Sequence, residues 1–185
     1  TRAEMAQMFY NLLRDKNVTI SKTFPDIGGD EWYAKAVNVM TTLGIVSGRY
    51  DGLFHPNDKM TRAEFVTVAV RFGTFTGDFS KLPPLSFTDV PATHWAYDDI
   101  AKAVAVGWIQ GDNGKLSPDA YMTRAEVATL VNRMLNRKAD AAVEGRTDLR
   151  QYHDMGDTTK WYWLDVTEAS NSHDYTRENG VESWN

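Results

Sequence analysis

No cysteine occurs among the 185 residues, which excludes disulfides, thiolate metal sites and cysteine nucleophiles. No apolar run approaches the roughly 20 residues that a membrane-spanning helix needs, so no span is expected. Positive charge is in deficit: 20 Lys plus Arg stand against 25 Asp plus Glu, for a net charge of -5. That balance offers nucleic acid or an anionic membrane no general attraction and leaves only a local basic groove open. His55, His94, His153 and His173 show no two-ligand zinc spacing. The acid-rich loops around Asp51 and Asp112 lack the alternating oxygen ligands and distal Glu of a calcium loop. No nucleophile elbow or set-apart carboxylate pair stands out. Metal, cofactor and catalytic residues are therefore not expected. Nor do the first residues resemble a secretion signal; a start at Thr1, on a helix cap, reads as a mature or cut fragment and says nothing of export.

What the chain does have is repetition. Thr-Arg-Ala-Glu occurs at Thr1 to Glu4, Thr61 to Glu64 and Thr123 to Glu126, with starts 60 and 62 positions apart. A period of that length means a repeated supersecondary unit. Thr at an N-cap with Glu three residues later is a capping box, so Thr1, Glu4, Thr61, Glu64, Thr123 and Glu126 read as structural caps. The intervening Arg has no such backbone duty. Apolar stripes follow each cap: Met5, Met8, Phe9, Leu12 and Leu13; Phe65, Val68, Ala69 and Phe72; Val127, Leu130, Val131, Met134 and Leu135.

Two full units align around these marks. One runs Phe24-Pro25-Asp26-Ile27, Trp32, Gly44 to Gly48, Phe54-His55-Pro56 and Thr61; the other runs Phe87-Thr88-Asp89-Val90, Trp95, Gly107 to Gly111, Leu116-Ser117-Pro118 and Thr123. Phe-to-Trp spacing is 8 and Trp-to-Gly spacing 12 in both. Helical stripes (Val37, Met40 and Leu43; Trp95, Ile100 and Val104) end at Gly44 and Gly107, where a C-cap needs a left-handed residue. Each unit is thus helix, short extended loop, helix, with an apolar face it cannot bury alone. We expect 1–14 as the last helix of a first unit, 24–72 and 87–135 as full units, and 152–185 as a Trp161-led partial unit and tail. Segments 15–23, 73–86 and 136–151 connect them. The fold class expected from three capped and three Trp-led helices is all-α.

The residues quoted resemble the S-layer homology family at each of its marks, with Leu116 in place of Phe, over Thr1 to about Ala169. The resemblance implies a three-unit, pseudo-three-fold helical bundle that anchors proteins non-covalently to the cell wall, outside the cell. It implies grooves between units that bind secondary cell-wall polysaccharide, often ending in pyruvylated N-acetylmannosamine, with the motif Arg meeting the acidic sugar. Surface-layer protein contacts are the alternative role. The chain departs from the pattern where the first unit lacks its start. The last unit also lacks Thr-Arg-Ala-Glu, and His173 stands where a Gly is due.

A sugar-borne carboxylate calls for a forked cation, which Arg2, Arg62 and Arg124 supply at helix starts that also favour an anion. The bland reading of the same residues is a salt bridge to a neighbouring acid. Gly48 and Gly111 either let backbone N–H groups approach the sugar or permit a positive φ. Trp32, Trp95 and Trp161 either wall a groove or plug the inter-helix core; residue statistics favour the core, while the resemblance turns an edge of each ring toward the groove. Asp26, Asp89 and Asp154 read as caps of local turns or helices.

Overall fold

Each helix start of the Thr-Arg-Ala-Glu type forms because the four residues satisfy the orphan donors of their own first turn. In the computed structural model, which describes residues 1–73, 79, 81–139, 141–150, 152–178 and 181–184, all three capping boxes are complete. They open α1 (Arg2–Leu12), α3 (Arg62–Phe72) and α5 (Arg124–Met134). Alternating with these are the Trp-led helices α2 (Ala34–Thr42), α4 (Tyr97–Ala105) and α6 (Trp163–Ser170). Gly44 and Gly107 end α2 and α4 at φ of 75° and 76°, as the sequence expects. The result is an all-α helix–loop–helix repeat fold with three similar units. No helix among the described residues is long and apolar enough to cross a membrane. Connector positions 74–78, 80, 140 and 151, and tail positions 179, 180 and 185, lie outside the described residues.

One element departs from the all-helical expectation. Tyr175–Glu178 (β1) and Val181–Trp184 (β2) pair antiparallel, with Tyr175 opposite Trp184 and Arg177 opposite Glu182. The signal was present in the sequence, since Asn179-Gly180 between two β-favouring segments is a strong hairpin dipeptide.

The chain forms two compact bodies: Thr1–Ala103 with Gly111–Tyr121, and Val104–Gln110 with Met122–Asn185. In the first, α1 packs on α2 and the buried Phe9 ring meets Phe65 at 5.7 Å and Phe72 at 4.9 Å. Phe54 is fully buried against Phe24, with Val37, Met40, Val66 and Ile100 completing the interior. In the second, α5 packs on α6. Trp163, Val143, Met155 and Ala139 make the core, flanked by Leu149, Leu164, Val166 and Trp184. The α5–α6 seam is partly polar: Thr129 Oγ1 donates to Asp165 Oδ2 at 2.8 Å and Asn132 Nδ2 to the Asp165 carbonyl at 2.8 Å. Both Thr129 and Asn132 are buried, which the apolar stripe alone did not indicate.

Some expected core positions stand outside it. Leu43 and Leu135 are exposed at helix ends. The larger correction concerns Trp32, Trp95 and Trp161, which are 62%, 61% and 64% exposed rather than plugged between helices. Each stands two residues before the first residue of its helix and leans on a sequence neighbour instead: Trp32 edge-on to Tyr33, Trp161 edge-on to Tyr162, Trp95 stacked on His94.

Candidate functional site: the Arg clamp and the exposed Trp rings

The capping box leaves two first-turn N–H groups, those of Arg and Ala, without an internal partner. The loop of the following unit takes both. Arg2 N–H donates to the Asp58 carbonyl and Ala3 N–H to that of Pro56, each at 2.9 Å. Sixty residues on, Arg62 N–H donates to Ala120 at 2.8 Å and Ala63 N–H to Pro118 at 2.9 Å. The side chains extend the same grip. Arg2 Nε donates to the Phe54 carbonyl at 2.7 Å and Nη2 to that of Ser47 at 2.6 Å. Arg62 Nη1 donates to Leu116 at 2.6 Å and Ser117 at 3.1 Å.

These two arginines therefore clamp the Phe/Leu-x-Pro loop of the next unit through backbone carbonyls, a partner that neither the sugar nor the salt-bridge reading named. Arg2 is 7% exposed and lies over the Phe54 ring at 4.5 Å. Burial, then the charge of Arg49, lowers its pKa, while Glu64, Asp58 and Asp26 pull the other way. Arg62 is half-buried, and Arg124 is exposed. Close by Arg2, Arg49 bridges Glu64 Oε1 at 2.5 Å and Asp58 at 3.5 Å. Glu64 thus serves both its own cap and an ion pair.

The clamped loop is braced from within its own unit. Asp26 Oδ1 accepts from Phe54 N–H at 2.8 Å and Oδ2 from His55 N–H at 2.7 Å. Asp89 accepts likewise from Leu116 at 2.9 Å and Ser117 at 2.7 Å. This corrects the local-cap reading of both: each reaches 27 to 29 residues along the chain. His55 and Ser117 sit at φ of 57° and 55°, a left-handed conformation that the two-pronged carboxylate holds in place. Asp154 is exposed.

Burial opposes ionisation of Asp26, but the N–H groups of Phe54 and His55 outweigh it and hold the carboxyl below its ordinary value. Asp89 is lowered in the same way through Leu116 and Ser117. A depressed carboxyl contributes stability that is full above its unfolded pKa of about 4 and lost as pH falls through its lower folded value. Asp26→Asn and Asp89→Asn are therefore expected to lose about 1–3 kcal/mol at pH 7. The deficit should shrink below about pH 4, where wild type gives up the same contribution. Urea midpoints at pH 7 and pH 3 measure this; an equal deficit at both would count against it.

Gly48 and Gly111 serve packing. Neither has a positive φ, which corrects one of the two sequence readings. A Cβ on Gly48 would meet Phe24 Cε1 at 2.4 Å, and one on Gly111 would meet Phe87 Cε1 at 2.3 Å. The Phe ring that opens each unit lies directly on the glycine that closes its turn.

In the second body, Glu168, His173 and Glu182 bring ligand-type atoms within 4.8 Å of one another. Their carboxylates already face Arg137 and Arg177, so the cluster is a neutralised ion network and a poor fit to a cation. Elsewhere, His55 Nε2 pairs with Asp51 Oδ2 at 2.6 Å.

These features define a class: a repeat module in which the capped starts of α1 and α3 are each fastened to the loop of the next unit. The S-layer homology domain profile matches residues 23–66 and 86–128. The chain is similar to cell surface glycoprotein 1 of Acetivibrio thermocellus, 30% identical over 197 residues that cover 100% of this chain and 8% of the relative. It is 34% identical to the cellulosome-anchoring protein of the same organism over 191 residues, 98% of this chain and 41% of that protein. Against the S-layer protein sap of Bacillus anthracis it is 30% identical over 140 residues, 76% of this chain and 16% of that protein. It spans less than half the length of each of these. The chain belongs to the S-layer homology family, whose domains mediate cell-wall anchoring and protein assembly.

Proposed function

We propose that this chain anchors its protein at the bacterial cell surface by binding secondary cell-wall polysaccharide, an acidic, pyruvylated N-acetylmannosamine-containing glycan. The observation that carries the reading is the threefold recurrence of an exposed indole: Trp32, Trp95 and Trp161 are exposed to within a few per cent of one another. Exposed rings at equivalent repeat positions contribute little to packing, and a flat apolar face with an N–H edge suits a pyranose ring. Arg62 and Arg124, half-buried and exposed, supply the fork for the ketal carboxylate. Arg2, only 7% exposed, is left out of the ligand set. Gly48 and Gly111 act one layer beneath, by seating the Phe rings.

The test is calorimetric titration with a pyruvylated wall oligosaccharide. Trp32→Ala/Trp95→Ala/Trp161→Ala and Arg62→Ala/Arg124→Ala are each expected to weaken binding at least tenfold, and added salt should weaken wild type. The exposed Trp set controls for fold damage in the Arg62 variant. Unchanged affinity in both sets would end the reading.

A further inference from the structure

The three exposed indoles are not equivalent. Tyr33 and Tyr162 follow Trp32 and Trp161 and meet them edge-on, at 5.1 and 5.4 Å between centroids. After Trp95 comes Ala96, which is buried, and Tyr97 beyond it gives its hydroxyl to the Leu85 N–H at 3.0 Å. His94 supports the ring from the other side, stacked on Trp95 at 5.7 Å and 28°. Its imidazole is pinned. The His94 N–H donates to Pro91 at 2.8 Å, its carbonyl accepts from Tyr97 at 2.9 Å, and Nδ1 accepts from the Ala96 N–H at 3.1 Å. With Nδ1 an acceptor, the neutral ring carries its hydrogen on Nε2. Neither that N–H nor the Trp95 Nε1–H has a partner among the described residues.

We infer that His94 is a specificity-determining residue of the Trp95 platform, where its Nε2–H donates to an uncharged sugar oxygen, a hydroxyl or an N-acetyl carbonyl, rather than to a carboxylate. This role rests on the reading that the exposed indoles seat a glycan, and it divides the work among them. Charge decides which oxygen is taken. The first turn of α4 carries Asp98 and Asp99 and no cation, so a carboxylate lying on Trp95 would meet like charge. The residue at the place of His94 is Glu31 before Trp32 and Lys160 before Trp161. Glu31 turns back to accept from the Gly28 N–H at 3.3 Å, and Lys160 pairs with Asp157 at 3.2 Å. Of these three residues, His94 is the one that offers a neutral donor, fixed in direction before any ligand arrives. The guanidinium groups of Arg62 and Arg124 are left to the acid, while His94 and Trp95 read a neutral face of the sugar.

The experiment follows the indole N–H signals of the isotope-labelled chain during titration with a wall oligosaccharide, once pyruvylated and once with its pyruvyl groups removed. Each Trp signal then reports the affinity of its own platform. The Trp95 signal is expected to saturate with both sugars, at about the same affinity in low and high salt. His94→Phe keeps a stacked ring and loses the N–H; His94→Asn keeps an acceptor for the Ala96 N–H and loses the ring. Each should weaken binding at Trp95 about fivefold and leave Trp32 and Trp161 unchanged. Wild-type affinity in either variant would overturn the role of His94. So would equal weakening at all three signals, which marks fold damage, or a Trp95 response confined to the pyruvylated sugar. Shifts at Trp32 and Trp161 without one at Trp95 would overturn it and leave the anchoring function standing. No shift at any of the three with either sugar would end both.

Discussion

Glu182→Ala is expected to destabilise the second body by about 3–5 kcal/mol, the largest single-residue effect in the molecule. Glu182 is 0% exposed and sits on β2, pairing across the hairpin with Arg177 and lying 3.5 Å from Arg137 Nε. Arg137 also pairs with Glu168 and reaches His173 Nε2 at 3.0 Å. His173 stacks flat on Trp184, 3.7 Å between centroids, and Trp184 Nε1 donates to Glu168 Oε2 at 3.0 Å. Two carboxylates thus answer two guanidinia. Deleting one leaves an unmatched cation where desolvation is expensive, and that penalty exceeds the worth of the pair itself.

Breaking a buried ion pair costs more than the pair itself contributes to stability. Burial raises the Glu168 pKa, against the pull of Arg137 and the Trp184 donor. A raised carboxyl favours folding below its unfolded pKa, and that contribution is lost as pH rises through the folded value. Ionisation of Glu168 therefore weakens the fold relative to its protonated form. It follows that Glu182→Met combined with Arg177→Met should lose far less than Glu182→Ala alone. Urea unfolding followed by Trp fluorescence compares them; a loss under about 1 kcal/mol for Glu182→Ala would refute the buried-charge account.

What the sequence made legible was local. A capping box is a four-residue pattern, so Thr61 and Glu64 announce it unaided. The C-caps at Gly44 and Gly107 follow from where the apolar period stops. The clamp was not legible, because its acceptors are peptide carbonyls that no residue type advertises. Asp26 reads as a local cap, for nothing in its neighbourhood points to Phe54 and His55. Trp32 reads as core because large aromatics are usually buried. Only its place just ahead of α2, off the apolar stripe, separates it from Val37 and Met40. Arg2, Arg62 and Arg124 share one motif and one expectation, yet the structure leaves them buried, half-buried and exposed. Motif identity cannot encode that difference: Arg2 and Arg62 each hold a following loop and still differ in exposure.

Gly111→Ala is expected to cost about 3 kcal/mol and Gly48→Ala about 2, both through overpacking rather than backbone strain. The added methyl would lie 2.3 Å from Phe87 Cε1 and 2.5 Å from the Lys115 carbonyl in one case, and 2.4 Å from Phe24 Cε1 and 2.9 Å from the Leu53 carbonyl in the other. A ring can swing aside, but the Lys115 carbonyl is fixed by its paired bonds with Asp112, 2.8 and 2.9 Å long, so Gly111 should suffer more. The displacement should travel. Lys115 precedes Leu116, whose carbonyl Arg62 holds, and a shifted loop loosens the clamp. Faster amide exchange at Arg62 and Ala63 should therefore accompany the thermal destabilisation of Gly111→Ala. Adding Phe87→Leu removes the ring atom but leaves the carbonyl in place. Partial recovery of stability is expected from that double variant. Full recovery would assign the glycine wholly to the ring, and none would assign it to the turn.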